Sequence, residues 1–215
     1  MSESSKRIVK VNGRNRRPWA LQSRENLLKA AIEEIAEVGF DKAKLVDIAK
    51  RAGMTAGSVY TWFENKEDLF RAALEQALSS QLEDNASAVA QVPQFNPGNW
   101  LSQVAALVPR NHENPGPTDA QRLLIESYYA SWRDPDVASK VLPQLQEHVN
   151  TYVRIIKEAQ DSGAIRSDVD ATALAMILVS VPLGMALNNL AGLARVDDPL
   201  WMPIIMGLYE ITKPR

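Results

Sequence analysis

The sequence predicts an all-α chain: a small N-terminal three-helix head with a helix-turn-helix, followed by a larger helical body. Three observations point there. Apolar residues recur at helical spacing through most of the 215 residues. Helix starts and stops carry capping residues at many of the places where the periodicity changes. Charge is also divided: residues 1–60 hold 12 Lys/Arg against 7 Asp/Glu, whereas 61–215 hold 12 against 19, within a net charge of −2. A basic end on an acidic body suggests a polyanionic partner for that end alone.

Composition narrows the classes further. Hydrophobic residues make up 46% and charged residues 23%, as in a soluble globular protein. There are no cysteines, which excludes disulfide frameworks, thiolate-ligated metals and a thiol nucleophile, and fits a reducing compartment. His112 and His148 are the two histidines, so a multi-histidine metal site is not expected. No nucleophile elbow, phosphate-binding loop, dinucleotide fingerprint or zinc-protease motif is present, and no enzymatic activity, cofactor or metal is expected.

Residues 1–22 read as a basic flexible arm with no apolar run, hence not a signal peptide, and no β-hairpin signal stands out. The first helix is expected from about Ser23, as N-cap, to Val38. Leu27, Leu28, Ala31, Ile32, Ile35 and Ala36 form its apolar stripe, and Gly39 stands where a left-handed residue ends a helix. A second helix is expected over Leu45–Arg51, stopped at Gly53. Thr55 is placed to cap a third, about Ala56–Trp62, and Asn65 a fourth, with Glu67 and Asp68 in its first turn. A proline-rich stretch, 93–117, leaves room for one short helix at about Trp100–Val108. Thr118 with Gln121 spells a capping box. Asp134-Pro135 and Asp198-Pro199 each join an N-cap to a proline at the first helical position. They open helices expected at about 119–132, 135–161 and 199–212. Ser167 or Asp168 opens another, reaching about Leu193 and containing Pro182.

Leu45–Phe63, LVDIAKRAGMTAGSVYTWF, has the pattern of a helix-turn-helix. Gly53 permits the turn, and Ala49 and Ala52 are small enough for the helices to cross closely. In such a unit the second helix can enter a major groove.

The segment from Glu25 to Leu74 resembles the DNA-binding domain of the TetR family of transcriptional regulators. LLKAAIEEIAEVGF, IAKRAGMT, VYTWF and NKEDLF carry the resemblance, and Asp161-Ser162-Gly163-Ala164-Ile165 with Asp168 and Asp170 is a fainter echo. The resemblance implies three regions: the arm, a DNA-binding domain over 23–66, and an effector-binding and dimerisation domain over 67–215. It implies a cytoplasmic, ligand-responsive regulator, a homodimer on a pseudo-palindromic operator in double-stranded DNA. Thr55 would cap the recognition helix and, with the helix-start amides, meet a phosphate. Ala56, Gly57 and Ser58 would face bases, Tyr60 a phosphate or thymine methyl, and Lys66 another phosphate. Gly57, Trp62 and Lys44 depart from the family's usual residues. Trp62 can donate to a phosphate or pack inward, and Lys44 gives up a cap but can meet phosphate itself. With few base readers in that helix, the arm is a candidate contributor, through Arg14, Arg16 and Arg17 in a minor groove.

In the body, Ala171–Ala194 carries no charge over 24 residues. It is long enough to span a bilayer, but Pro182, Asn188 and Asn189 and the lack of a flanking basic cluster favour a buried or subunit-interface helix and no membrane partner. Leu174, Leu178, Val181 and Met185, with Leu200, Ile204 and Leu208, are the expected dimer residues; a core within one chain is the alternative for these helices. A small-molecule site is expected among Trp100, Gln103, Val104, Leu107, Glu126, Tyr128, Trp132, His148, Met176 and Asn188, for a largely apolar or planar effector. Tyr128 and Trp132 are expected to share a face, with Tyr129 elsewhere. The competing reading is a helical ligand-binding or scaffolding protein without specific DNA binding.

Overall fold

The computed structural model describes residues 9–11, 14–16, 18–90, 117–193, 203–204, 207 and 210–214. The short helix expected at Trp100–Val108 and the Asp198-Pro199 start lie outside them. Seven helices are described over their whole length: α1 (Pro18–Val38), α2 (Leu45–Arg51), α3 (Ala56–Val59), α4 (Lys66–Ala90), α5 (Asp119–Arg133), α6 (Pro135–Asp161) and α7 (Ala171–Leu190). Helical backbone also occurs at 203, 204, 207 and 210–212.

Most boundaries follow the capping residues. Thr118 accepts from the Gln121 amide at 3.2 Å while the Gln121 side chain accepts from the Thr118 amide at 2.9 Å. Asp134 accepts from the amides of Asp136 and Val137, with Pro135 opening α6. Asn65 accepts from the Asp68 amide at 2.8 Å. Two starts differ from expectation. α1 begins at Pro18, not Ser23, because a proline at the first helical position has no amide to leave unpaired. α7 begins at Ala171, with Asp170 accepting from Ala173, rather than at Ser167 or Asp168. Before α7, the Gln160 side chain donates to the carbonyls of Arg166 and Val169 and fixes the connector.

The arm is not wholly irregular. Val9–Val11 and Arg14–Arg16 pair as antiparallel strands, Val9 opposite Arg16. The expectation of no hairpin overlooked Asn12-Gly13, a strong two-residue hairpin signal.

One apolar core runs from the head into the body. It joins Leu27, Leu28 and Ile35 of α1, Ile48 of α2, Val59 of α3 and Phe70 of α4 to Leu123 of α5 and Val137 of α6. Phe40 stacks on Phe70 with ring centroids 4.6 Å apart. A second core holds α6 against α7 through Tyr152, Ile156, Leu174, Ala175 and Leu178. Buried in α6, His148 meets the Tyr152 ring edge-on at 5.2 Å.

A polar contact sits where head meets body. The Phe40 amide donates to the Glu126 carboxylate at 2.7 Å. Gly39 lies beneath that contact at φ +84°, and a Cβ there would come within 3.3 Å of the same carboxylate oxygen, so two constraints favour glycine. Arg133 adds an exposed ion pair to Asp41 at 2.8 Å, worth little by itself.

Glu126→Ala strands the half-buried Phe40 amide and should cost about 1–3 kcal/mol in urea unfolding. Glu126→Gln keeps an acceptor and should lose clearly less; equal losses would show that the hydrogen bond does not matter. His148 supplies a pH test. Burial pushes its imidazole down to about 4 from the ordinary 6.5. Between those values the unfolded chain takes up a proton that the folded chain refuses. Stability should therefore fall as pH drops through this window, by roughly 3 kcal/mol in all. Urea midpoints across the window should show this extra slope in the wild type and not in His148→Phe.

Candidate nucleic-acid interface

The head presents α3 outward because its inner side is fixed by two anchors. Val59 is fully buried and Phe63 nearly so, with the Arg24 guanidinium 5.6 Å from the Phe63 ring centroid. The turn ahead of α3 closes on Gly53 at φ +69°, and the Met54 amide donates to the Ala49 carbonyl at 2.8 Å. Arg51, the last residue of α2, pairs with Glu34 at 2.8 Å and Glu37 at 2.7 Å, tying the unit to α1. Those carboxylates, Glu37 foremost, hold the guanidinium above its ordinary pKa.

With Val59 and Phe63 inward, Gly57, Tyr60 and Thr61 face out, and Tyr60 is 62% exposed. No atom lies within 4 Å of where a Gly57 Cβ would stand. Ala56 and Ser58 are half-buried, and Lys44 is exposed. Thr61 was missed by the sequence reading, although its spacing of four from Gly57 put it on that face.

Several expected roles change on contact with the geometry. The Thr55 side chain does not cap α3: the Ser58 amide bonds to the Thr55 carbonyl at 3.0 Å, and the two hydroxyls pair with each other at 2.7 Å. Ser58 thus competes for the oxygen that would have capped. Regular α-helix ends at Val59, not Trp62; Thr61 and Trp62 continue as three-residue turns onto the Ser58 and Val59 carbonyls. Trp62 is half-buried against the core, one of the two placements left open for it. The Lys66 ammonium lies 4.3 Å from the Phe40 ring centroid and donates to the Asp41 carbonyl at 3.3 Å. Burial there lowers its pKa, so this lysine is engaged by the fold. Lys44 stands at the α2 N-cap without a side-chain cap bond, as expected from the lost hydroxyl. Arg14 and Arg16 lie in the second strand of the hairpin, and Arg17 is outside the described residues.

The body places its expected site residues apart. A narrow cavity of about 20 Å³ lies where α4, α5, α6 and α7 converge, lined by Gln81, Leu124, His148, Tyr152, Leu178 and Leu183 among others. Of the expected effector residues that are described, only His148 lines it. Glu126 turns to the head, and Trp132 is 81% exposed with its ring 6.2 Å from Tyr129, not paired with Tyr128. Tyr128, Met176 and Asn188 are exposed as well. Trp100, Gln103, Val104 and Leu107 lie outside the described residues. Gln81 carries no sequence signal beyond its polarity on an otherwise apolar helix face.

The expected dimer residues divide in the same way. Leu174 and Leu178 are buried in the chain's own core, and Leu178 lines the cavity. Val181 is exposed and Met185 half-buried, while Met176, Ile177 and Leu187 add to the outward face of α7. That helix is long and apolar enough to cross a membrane, with mean hydropathy 1.8, yet its inner face packs along α6. Ile204 is exposed; Leu200 and Leu208 are outside the described residues.

Comparisons with known proteins agree with this geometry. Residues 27–73 match the family model described as bacterial regulatory proteins, tetR family. The transcriptional regulator YvdT of Bacillus subtilis is 44% identical over 59 residues, 27% of this chain and 30% of that protein. The chain thus matches only about a third of the length of such relatives. The probable acrEF/envCD operon repressor of Escherichia coli is 26% identical over 187 residues, covering 83% of this chain and 80% of the repressor. Among solved structures, a putative TetR-family regulator from Rhodococcus aligns over 90% of this chain and 100% of its own, with TM-score 0.74 at 16% identity. The FadR regulator of Bacillus subtilis, solved with stearoyl-CoA, aligns over 86% of this chain and 96% of its own, with TM-score 0.59 at 18% identity. Residues 27–73 thus match the tetR family model, and the chain has the TetR-like fold, an N-terminal helix-turn-helix domain followed by a larger helical body.

Proposed function

We propose that the chain is a transcriptional repressor that binds a pseudo-palindromic operator as a homodimer and loosens or changes its grip when a small, largely apolar effector enters the body. The observation that carries this reading is the outward face of α3, where Gly57, Tyr60 and Thr61 stand clear of the core. A face so poor in long polar side chains gains affinity from phosphates and from fit. Tyr60 and Lys44 supply backbone contacts, with Thr55, Ala56, Ser58 and Trp62 close to the groove and Lys66 set back on the α1–α2 turn. The basic arm before α1 adds Arg14, Arg16 and Arg17 to the adjacent minor groove. Such a molecule works in the cytoplasm, where the DNA is.

The dimer is supported by the outward face of α7. Met176, Ile177, Val181 and Leu187 expose apolar side chains along one helix, a surface that a symmetric partner would cover. The effector is supported by the cavity among α4–α7 and by the acyl-CoA ligand of the FadR structure. α5 borders that cavity and also carries Glu126, so a ligand that shifts α5 would shift the α1–α2 turn beneath the recognition unit.

Fluorescence anisotropy with DNA from upstream of the chain's own gene tests the reading. Specific binding should be steeply salt-dependent, and removing residues 1–17 should flatten the slope by several units, about 0.9 for each lost phosphate contact. Tyr60→Phe should weaken binding across operator variants alike; loss confined to one base position would make Tyr60 a base reader instead. An absence of sequence preference would defeat the repressor reading.

The double change Ile177→Asp with Val181→Asp should give folded monomers by analytical ultracentrifugation, with operator affinity reduced. Leu178→Ala should instead destabilise the fold by about 2–5 kcal/mol and leave the assembly state unchanged. A double variant that stays dimeric would place the interface elsewhere.

A further inference from the structure

We infer that the cavity among α4–α7 receives the polar end of an uncharged, hydroxyl-bearing amphiphile, with His148 Nδ1 and Gln81 Oε1 as its hydrogen-bond partners. This rests on the effector reading above and narrows it to a ligand class. Four buried side-chain polar atoms lack a partner among the described residues: Gln81 Oε1, Arg122 Nε, Ser131 Oγ and His148 Nδ1. Two of the four belong to side chains lining this one cavity, on separate helices. His148 is only 7% exposed, so water outside the protein does not satisfy it. Two orphan groups carried by side chains that line one space mark a place where a hydrogen-bonding ligand can be held.

The chemistry of the two atoms selects the ligand. Gln81 Oε1 only accepts, so the ligand must donate to it. The neutral imidazole offers Nδ1 as donor or acceptor according to tautomer. A hydroxyl carries one donor and free acceptor pairs and matches both. A carboxylate could accept from the neutral imidazole but has nothing to donate to Gln81 Oε1, and no Lys or Arg lines the cavity among the described residues to offset its buried charge. A quaternary ammonium would need a carboxylate or a cage of several aromatic rings; among the described residues no Asp or Glu lines the cavity, and Tyr152 is the one phenolic or indole ring that does. Size agrees: about 20 Å³ admits one water-sized group, which needs roughly 10–15 Å³. The cavity itself holds only the hydroxyl; Leu124, Leu178 and Leu183 give its described wall an apolar surface for the first carbons of a chain that continues beyond it.

Isothermal titration of the full chain with four probes sharing a decyl chain decides the matter: decanol, its methyl ether, decanoate and decyltrimethylammonium, each below its aggregation limit at about pH 7. Decanol should bind at least about tenfold more tightly than each of the others. His148→Leu and Gln81→Leu should each weaken decanol by about tenfold with helix content unchanged by circular dichroism. The methyl ether keeps the test decisive on the unaltered protein if either variant fails to fold. Tighter binding of decanoate or of the cation overturns the ligand class and leaves an effector pocket standing. Decanol binding that neither variant affects overturns the assignment to this cavity. If none of the four binds, the ligand class fails, and operator release by other molecules then decides the effector reading separately.

Discussion

The stacking of Phe40 on Phe70 is the contact around which the molecule is organised. Phe40 closes the turn between α1 and α2, and Phe70 is the fully buried second-turn residue of α4. Through it the head is packed against the helix that continues into the body. Leu69, Phe70, Ala73 and Leu74 are all completely buried and form one continuous apolar face along the helix. Through it α4 packs against α1 of the head and against α5 and α6 of the body. The head cannot rotate as a free module without breaking that core, and the body cannot repack without moving the helix on which the head rests.

Communication between halves follows from this continuity. Leu123 and Leu124 of α5 lie in the same core as Leu27 and Ile48, two to three residues before Glu126, which holds the Phe40 amide. A displacement of α5 therefore acts on the α1–α2 turn by packing and by a directional hydrogen bond together. Close-packed interiors respond to such displacements by switching between discrete arrangements and do not stretch smoothly.

How much of this was legible in the sequence depended on whether a local rule had a single answer. Thr118, Asp134, Asn65, Gly39 and Gly53 each mark a boundary through side-chain or φ chemistry that neighbours do not override, and all five act as read. Thr55 failed as a side-chain cap because Ser58 offers a rival hydroxyl, a competition that spacing alone does not rank. α7 failed in its phase. A helix apolar on every side carries no periodic signal to separate Leu178, which faces its own core, from Ile177, which faces out. The hairpin is faint in the sequence because its strands are three residues each, and Arg14–Arg16 carries no apolar alternation, which leaves Asn12-Gly13 as its signal. Glu126 could be recognised as polar on a core helix, but its partner is a backbone amide 86 residues away, and no sequence pattern encodes that distance.

The small size of the outward α3 residues has a further consequence for recognition. Gly57 leaves open space where a longer side chain would reach a base edge. A helix built this way can approach the groove floor closely, so that backbone and the Tyr60 ring meet the duplex before any long side chain does. Readout then shifts toward groove width and deformability, which are properties of several base pairs together. Affinity drawn from phosphates is insensitive to sequence, so in the proposed dimer the spacing of the two heads adds to the readout of duplex shape. The outward face of α7 and the continuous core through α4 would set that spacing. On this proposal specificity depends more on the body's geometry than on the chemistry of α3.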